Sequence, residues 1–266
     1  MASNLAYGPQ IVTDSLVCCL DANNTKSYPG AGSTWYDLSG HGSNGVNTNA
    51  THGNGSTITA TDSVGSYFTY DGNGDYTIIN DDHAEMFADN TGFTIEIWAA
   101  KDQDNSNGSP ILLHYRGNGG NPSLAMYAYG TNGNYTDYGL ELYADTDQDG
   151  DGSGGAELFS DRSNSIDPNG WCQHLGTYSG NSGGHHGSVY FNGAHISTDS
   201  TSAAQVFKKP TNPYNGGVTI ASSAHSVGNT THGFEGKIAI IRIYKRALSA
   251  AEIKQNFNAN RSRFGI

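Results

Sequence analysis

Short runs of β-branched and aromatic residues, separated by clusters of Gly, Asn, Asp and Ser, recur along most of the chain. Runs of this kind bounded by turn formers read as β-strands. They predict strands at Leu16–Leu20, Tyr67–Tyr70, Tyr76–Ile79, Phe93–Ala99, Ile111–Tyr115, Leu124–Tyr129, Gly139–Tyr143, Cys172–Tyr178, Ser188–Phe191, Val218–Ala221 and Lys237–Tyr244. In Phe93-Thr94-Ile95-Glu96-Ile97 apolar and polar positions alternate, the pattern of a strand with one wet face. Asn192-Gly193, between two strand-like runs, is the pair that a two-residue hairpin turn favours. One helix is predicted, near the end. Ser249 and Glu252 form an S-x-x-E capping box, and Leu248 and Ile253 are placed to close a hydrophobic staple around it. The helix element then covers residues 249–258, with Ile253 and Phe257, four apart, facing the rest of the protein.

Many short strands with turn signals between them, and helix formers scarce before the last thirty residues, point to an all-β sandwich or barrel. At 266 residues, with no internal repeat and no linker-like shift in composition, the chain reads as one domain over 1–266. An N-terminal arm (1–14) and a basic tail (259–266) flank the strands and the helix.

Charge adds a constraint on partners. The net charge of −12 argues against nucleic acid as a ligand of the whole chain. From Lys237 onwards, however, Lys237, Arg242, Lys245, Arg246, Lys254, Arg261 and Arg263 face a single acid, Glu252. Either a basic C-terminal face docks on an acidic neighbour, such as another copy of the chain, or these are solvated side chains on a helix and a loose tail. Residues 1–10 and the tail from Asn258 are expected to be ordered by neighbours and loose in an isolated molecule. No secretory signal is read, because Asp14 interrupts Ile11–Leu20 and no Lys or Arg precedes it. No apolar run reaches the roughly 18 residues of a membrane helix, so membrane insertion is not expected. Three cysteines, Cys18, Cys19 and Cys172, fit a reducing cytosol better than a disulfide framework.

Candidate chemistry is concentrated in one acidic stretch. Asp145, Asp147, Asp149 and Asp151 alternate with small or polar residues and with Gly150, so their carboxylates can wrap a Ca²⁺ ion. A helix-loop-helix calcium motif requires Glu at the twelfth position, where Ala156 stands. The alternative is a solvated acidic hairpin tip between strands at Tyr143 and Leu158. Tyr127, Tyr129, Tyr135 and Tyr138 cluster in the preceding region; such rings stack on sugars, and they are equally ordinary strand residues. Trp35, Trp98 and Trp171 read as core or strand-end residues. His185-His186 falls in a Gly-rich turn without the spacing of a metal site. Glu141 and Asp145 have the even spacing that puts two carboxylates on one face of a strand.

In combination, several segments resemble the laminin-G-like, concanavalin A-like family. They are Leu20-Asp21-Ala22 with Ser27-Tyr28-Pro29-Gly30, Trp35-Tyr36-Asp37-Leu38-Ser39-Gly40, Phe68-Thr69-Tyr70-Asp71-Gly72 with Asp75-Tyr76, Phe93-Thr94-Ile95-Glu96-Ile97-Trp98, and Phe234-Glu235-Gly236-Lys237 through Ile253. The resemblance implies a two-sheet antiparallel jelly-roll sandwich, and a weaker structural calcium site at Asp21 and Asp37. Retaining glucanases on this fold carry an E-x-D-x-x-E strand, and no such pattern occurs among Glu85, Glu96, Glu141, Glu157, Glu235 and Glu252. The segments Gly8–Asp14 and Ile253–Ile266 are also similar to structural proteins of tailed phages. That likeness implies a non-enzymatic virion protein: a capsid decoration or accessory module at the virion surface, assembled in the host cytoplasm. Its implied partners are other capsid or tail proteins and copies of itself. A lectin-like adhesin binding host-surface glycan is the alternative, and a glycan hydrolase a third.

Overall fold

A computed structural model describes residues 10–54, 64–80, 86–88, 91–101, 111–116, 123–127, 138–144, 156–163, 170–180, 185–201, 209, 217–223 and 233–266. Within them sixteen strands pair into two antiparallel eight-stranded sheets. The back sheet runs in the order Ala194–Thr201 (β14), His185–Phe191 (β13), Cys172–Tyr178 (β12), Phe93–Lys101 (β7), Glu235–Tyr244 (β16), Ser66–Asp71 (β5) and Thr51–Asn54 (β4). Leu16–Asp21 (β1) pairs with residues 240–244 of β16, while β5 pairs with residues 235–238. The front sheet runs Ala156–Ser163 (β11), Tyr138–Ala144 (β10), Ser123–Tyr127 (β9), Ile111–Arg116 (β8), Gly217–Ile220 (β15), Tyr76–Asn80 (β6), Gly45–Thr48 (β3) and Thr34–Trp35 (β2). Alternate side chains of the two sheets, among them Phe68, Ile97, Tyr115, Ile220 and Ile241, fill the space between them. The architecture is an all-β sandwich with one short C-terminal helix.

Every predicted strand is present, and the deviations have local causes. Strands β2, β3 and β4 were not anticipated, because Thr34-Trp35, Gly45–Thr48 and Thr51–Asn54 are short and mostly polar. They exist through their pairings: β3 on β6, β2 on β3 and β4 on β5. His185 and His186 do not lie in a turn: they begin β13, paired with Thr201 and Ser200. β7 corrects the wet-face expectation. Thr94 and Glu96 are as buried as the neighbouring Ile95 and Ile97, because the helix closes over that side of the back sheet.

The helix, α1, spans Ala250–Asn260, two residues beyond the predicted end, and continues into a 3-10 turn at Arg261–Phe264. Its capping box is formed as expected. Ser249 Oγ accepts from the Glu252 amide and Glu252 Oε2 accepts from the Ser249 amide. Leu248 and Ile253 pack in one cluster with Val12, Leu16 and Tyr244. The extension past residue 258 is held by Asn260, whose Nδ2 donates to the Asn256 carbonyl at 2.9 Å and whose Oδ1 accepts from Arg242 at 3.2 Å.

The β5–β6 turn, Asp71 to Asp75, is packed against the chain at Gly233. A Cβ on Gly233 would sit 2.1 Å from the Gly72 carbonyl oxygen, so only glycine permits this approach. The turn is tied by the Asp71 amide donating to Asp75 Oδ2 at 2.8 Å. Burial, with the nearby Asp71 carboxylate adding, raises the Asp75 carboxyl above the usual carboxylate range. The folded state therefore binds more protons than the unfolded chain between the ordinary and the raised pKa. Stability falls as pH rises through that window. Asp75→Asn keeps an acceptor for the Asp71 amide and removes the charge. It is expected to melt higher than wild type at pH 7 and to converge with it in acid; a lower melting temperature at pH 7 would refute the assignment.

Candidate functional site

Two outer faces could carry a site, and α1 occupies much of one. On the outer side of the back sheet, the fully buried Glu96 collects four hydrogen bonds. Its Oε1 accepts from Trp98 Nε1 (2.8 Å), Gln173 Nε2 (2.9 Å) and Arg242 Nη1 (2.9 Å), and its Oε2 from Asn256 Nδ2 (2.9 Å). Asn256 projects from α1 and also donates to the Tyr244 hydroxyl, while its Oδ1 accepts the Val12 amide at 2.8 Å. Burial, with the Glu96 charge beside it, pushes the Tyr244 phenol up from its ordinary pKa. Arg242 Nε and Gln173 Oε1 are the atoms of this network left without partners. A carboxylate held this way is an anchor: it lies beneath the helix, fully buried and hydrogen-bonded through both oxygens.

Three arginines of the basic C-terminal segment, Arg242, Arg246 and Arg263, are ion-paired inside the molecule. Arg246 bridges Asp14 (2.8 Å) and Glu252 (2.6 Å), and Arg263 pairs with Asp21 (2.7 Å) while holding the Val64 and Ser66 carbonyls. Arg246, followed by the Ser249 amide, lowers the Glu252 carboxyl to about 2. Lys254 and Arg261 lie over the Phe257 ring. Phe264 is 6% exposed and stacks 4.3 Å from Trp98. The expectation of a loose tail is thereby corrected: residues 259–264 are bound to the sheet by aromatic stacking and Arg263. Of the N-terminal arm, residues 10–14 are fixed through Gln10, Val12 and Asp14, and residues 1–9 lie outside the described residues.

The predicted metal residues fall in three places. Asp37 is a loop organiser: Oδ1 accepts the Cys19 and Ser39 amides, and Oδ2 accepts the Gly42 and Ser43 amides and the Ser39 hydroxyl. Asp21 Oδ1 accepts from Arg263 and from the Asn23 amide. Asp37 thus has both carboxylate oxygens engaged and Asp21 has Oδ1 engaged, and among the described residues no group of three or more His, Cys, Asp or Glu is placed to hold a metal ion. Asp145, Asp147, Asp149 and Asp151 lie outside the described residues, in the connection between β10 and β11. Of the tyrosines, Tyr127 ends β9 opposite Gly139 and Ile111, and Tyr138 begins β10. Tyr129 and Tyr135 lie outside the described residues, in the β9–β10 connection. Tyr138 thus begins β10, and the acidic stretch follows its last residue, Ala144, in sequence.

The other outer face belongs to the front sheet. A single cross-strand row runs through all eight strands: Ser160, Glu141, Ala125, His114, Thr219, Ile78, Val46 and Thr34. Their neighbours Leu124, Tyr115, Val218, Ile220 and Ile79 point into the core, which puts the row's Ala125, His114, Thr219, Ile78 and Val46 on the outside. Its centre is polar and covered, with His114 at 6% exposure and Thr219 at 0%. The Thr219 hydroxyl has no hydrogen-bond partner. Arg116 on β8 and Tyr127 on β9, both partly exposed, each lie two positions from the row, on opposite sides of it, and Tyr76 lies on β6. Sequence reasoning did not single out His114 or Thr219. The available signal was one polar residue inside each apolar run, Ile111-Leu112-Leu113-His114-Tyr115 and Val218-Thr219-Ile220.

Comparison with known proteins follows the fold. A family model described as the Concanavalin A-like lectin/glucanases superfamily matches residues 71–254. Similar solved structures include the binding domain of Paraclostridial Mosquitocidal Protein 1 (16% identity, TM-score 0.63, 93% of this chain and 52% of that one). Another is domain 4 of AbnA, a GH43 extracellular arabinanase from Geobacillus stearothermophilus, in complex with arabinotriose (15% identity, TM-score 0.58, 92% and 98%). A third is the binding domain of botulinum neurotoxin DC in complex with SialylT (15% identity, TM-score 0.61, 93% and 52%). The chain spans about half the length of the toxin binding domains it matches. No curated protein matches the sequence. At these identities the likeness is one of fold.

Proposed function

The chain belongs to the concanavalin A-like lectin/glucanases superfamily, and we propose that it is a non-enzymatic glycan-binding module whose ligand lies on the outer face of the front sheet. The observation that carries this reading is the partly exposed ring of Tyr127 and the partly exposed guanidinium of Arg116, on neighbouring strands of that face, which offer a sugar a stacking surface and a hydrogen-bond donor. The bound arabinotriose of the AbnA domain, a structure of similar length, supports a saccharide as the ligand class. The non-enzymatic part is supported by Glu96, a mid-strand carboxylate held as an anchor. A retaining glycosidase needs two reachable carboxylates about 5–5.5 Å apart.

A glycan array probed with wild type, Arg116→Ala and Tyr127→Ala tests the reading. Wild type is expected to give hits that both variants weaken at least tenfold, with unchanged melting temperatures. A silent array, or variants that bind like wild type, removes it.

A second reading places this module on a phage particle, as a capsid decoration or tail accessory. The terminal segments that resemble tailed-phage structural proteins are neighbours in the fold. Gln255 Nε2 donates to the Gln10 carbonyl at 2.7 Å, beside the Asn256–Val12 and Arg246–Asp14 contacts. They lie on the back-sheet side, opposite the face assigned to glycan, so a particle could hold one side while the other meets a cell. Cryo-electron microscopy of particles lacking the protein, after it is added back, would show regular occupancy of capsid or tail positions; bare particles would end this reading. The loop from Asp145 to Asp151 belongs to the proposal as a calcium loop. Millimolar Ca²⁺ is expected to raise the melting temperature of wild type and not that of an Asp147→Ala, Asp149→Ala double variant. Identical wild-type melting with and without Ca²⁺ would exclude it.

A further inference from the structure

Beyond the 3-10 turn, the outer face of the back sheet carries a second, differently built surface. Lys237 on β16 stands directly opposite Thr69 on β5 and Ala100 on β7, and Thr69 stands opposite Thr51 on β4. All four are partly or fully exposed. Phe68, Tyr70 and Ile238, which alternate with them, point into the core, so this row faces outward. At its edge Tyr67 and Trp171 form an aromatic pair, ring centroids 5.6 Å apart and tilted by 54°. Both rings are only partly buried. They are held from behind, since Trp171 rests on Phe264 at 5.1 Å and Arg263 binds the carbonyls of Val64 and Ser66 just before Tyr67. The Lys237 ammonium lies 5.4 Å from the Tyr67 ring centroid. Unlike Arg242, Arg246 and Arg263, it makes no ion pair among the described residues. One row further along the same face, Asp71 and Glu235 are cross-strand partners.

Each component of this shelf answers to one part of an acidic sugar. Ring faces take the apolar face of a pyranose. An ammonium without a carboxylate partner takes an anionic group, in a chain whose net charge otherwise repels anions. Small floor residues leave room, and threonine hydroxyls with nearby carboxylates pair with sugar hydroxyls. A neutral oligosaccharide would leave Lys237 unused, and a purely apolar ligand would bury it uncompensated.

We infer that the shelf formed by Tyr67, Trp171, Lys237 and Thr69 binds a carboxylate-bearing saccharide. This rests on the glycan-binding reading above, but assigns the acidic ligand to the opposite sheet. The probe is a panel of uronate- and sialate-bearing oligosaccharides, each paired with its methyl ester, titrated calorimetrically into the full chain. Wild type is expected to bind at least one acid tenfold or more tightly than its ester, with affinity falling as salt rises. Lys237→Met, which keeps the stem over Tyr67, is expected to erase that preference, and Tyr67→Ala to weaken acid and ester alike. The inference is overturned if the acidic panel is silent, if acids and esters bind equally, or if Lys237→Met retains the preference. Arg116→Ala and Tyr127→Ala separate the two sites. Acid binding that survives them but not Lys237→Met supports the shelf against the front sheet. Loss of all saccharide binding in those two variants alone overturns the shelf and leaves the front-sheet reading standing.

Discussion

Glu96→Ala is expected to lower the unfolding free energy by about 3–5 kcal/mol, the cost of breaking a buried ion pair by removing one partner. The substitution strands the Arg242 guanidinium, 3% exposed, without its carboxylate. It also removes the acceptor for Trp98 Nε1, Gln173 Nε2 and Asn256 Nδ2. Because Asn256 belongs to α1 and also receives the Val12 amide, the loss spreads to the helix and the N-terminal segment. Urea titration of the two proteins measures the difference directly from the midpoints, given similar slopes. Glu96→Gln, which keeps an acceptor and the volume, should lose less. A loss below about 1 kcal/mol for Glu96→Ala would mean that the network contributes no more than an exposed pair does.

Phe264→Ala is expected to cost about 3 kcal/mol, the lower end of the range for truncating a buried phenylalanine. The ring is wedged between Trp98 and Trp171, at centroid distances of 4.3 and 5.1 Å. Removing it empties the place where the 3-10 turn meets the sheet. Tryptophan emission offers a second readout, since Trp98 and Trp171 would both gain solvent at one side. The expected result is a lower urea midpoint with a red-shifted native spectrum. An unchanged midpoint and spectrum would show that the C-terminal turn detaches without consequence, as the loose-tail expectation held. The same variant should also loosen the Tyr67–Trp171 pair, and with it the shelf beside Lys237.

The elements of this protein were legible in its sequence because their causes are local. Ser249 and Glu252 define a helix start by themselves, and the structure has that cap. Asn192-Gly193 forms the turn between β13 and β14, both residues at positive φ. The alternation in Phe93–Ile97 identified a strand correctly and misjudged its environment. A polar residue at Glu96 looks like a solvent-facing position until Arg242, 146 residues away, and Asn256, 160 residues away, are brought to it. The edge strands β2, β3 and β4 were illegible for a related reason. They have little apolar pattern of their own, and the pairing of β3 with β6, β2 with β3 and β4 with β5 supplies what their sequences do not.

By itself, then, the sequence determined the class of fold, the strand set of the two sheets' centres, the helix and the family resemblance, since periodicity, turn chemistry and capping act over a few residues. Tertiary structure alone decided which polar residues became anchors and which became surface. Glu96 and Arg242 were buried by the helix that α1 lays across the back sheet, and Asp37 was claimed by the amides of its own loop and of β1. His114 with Thr219, and Lys237 with Thr69, were set side by side by strand order, in which residues more than a hundred positions apart become nearest neighbours. That order follows from closing two sheets over one core, and no window of local sequence encodes it.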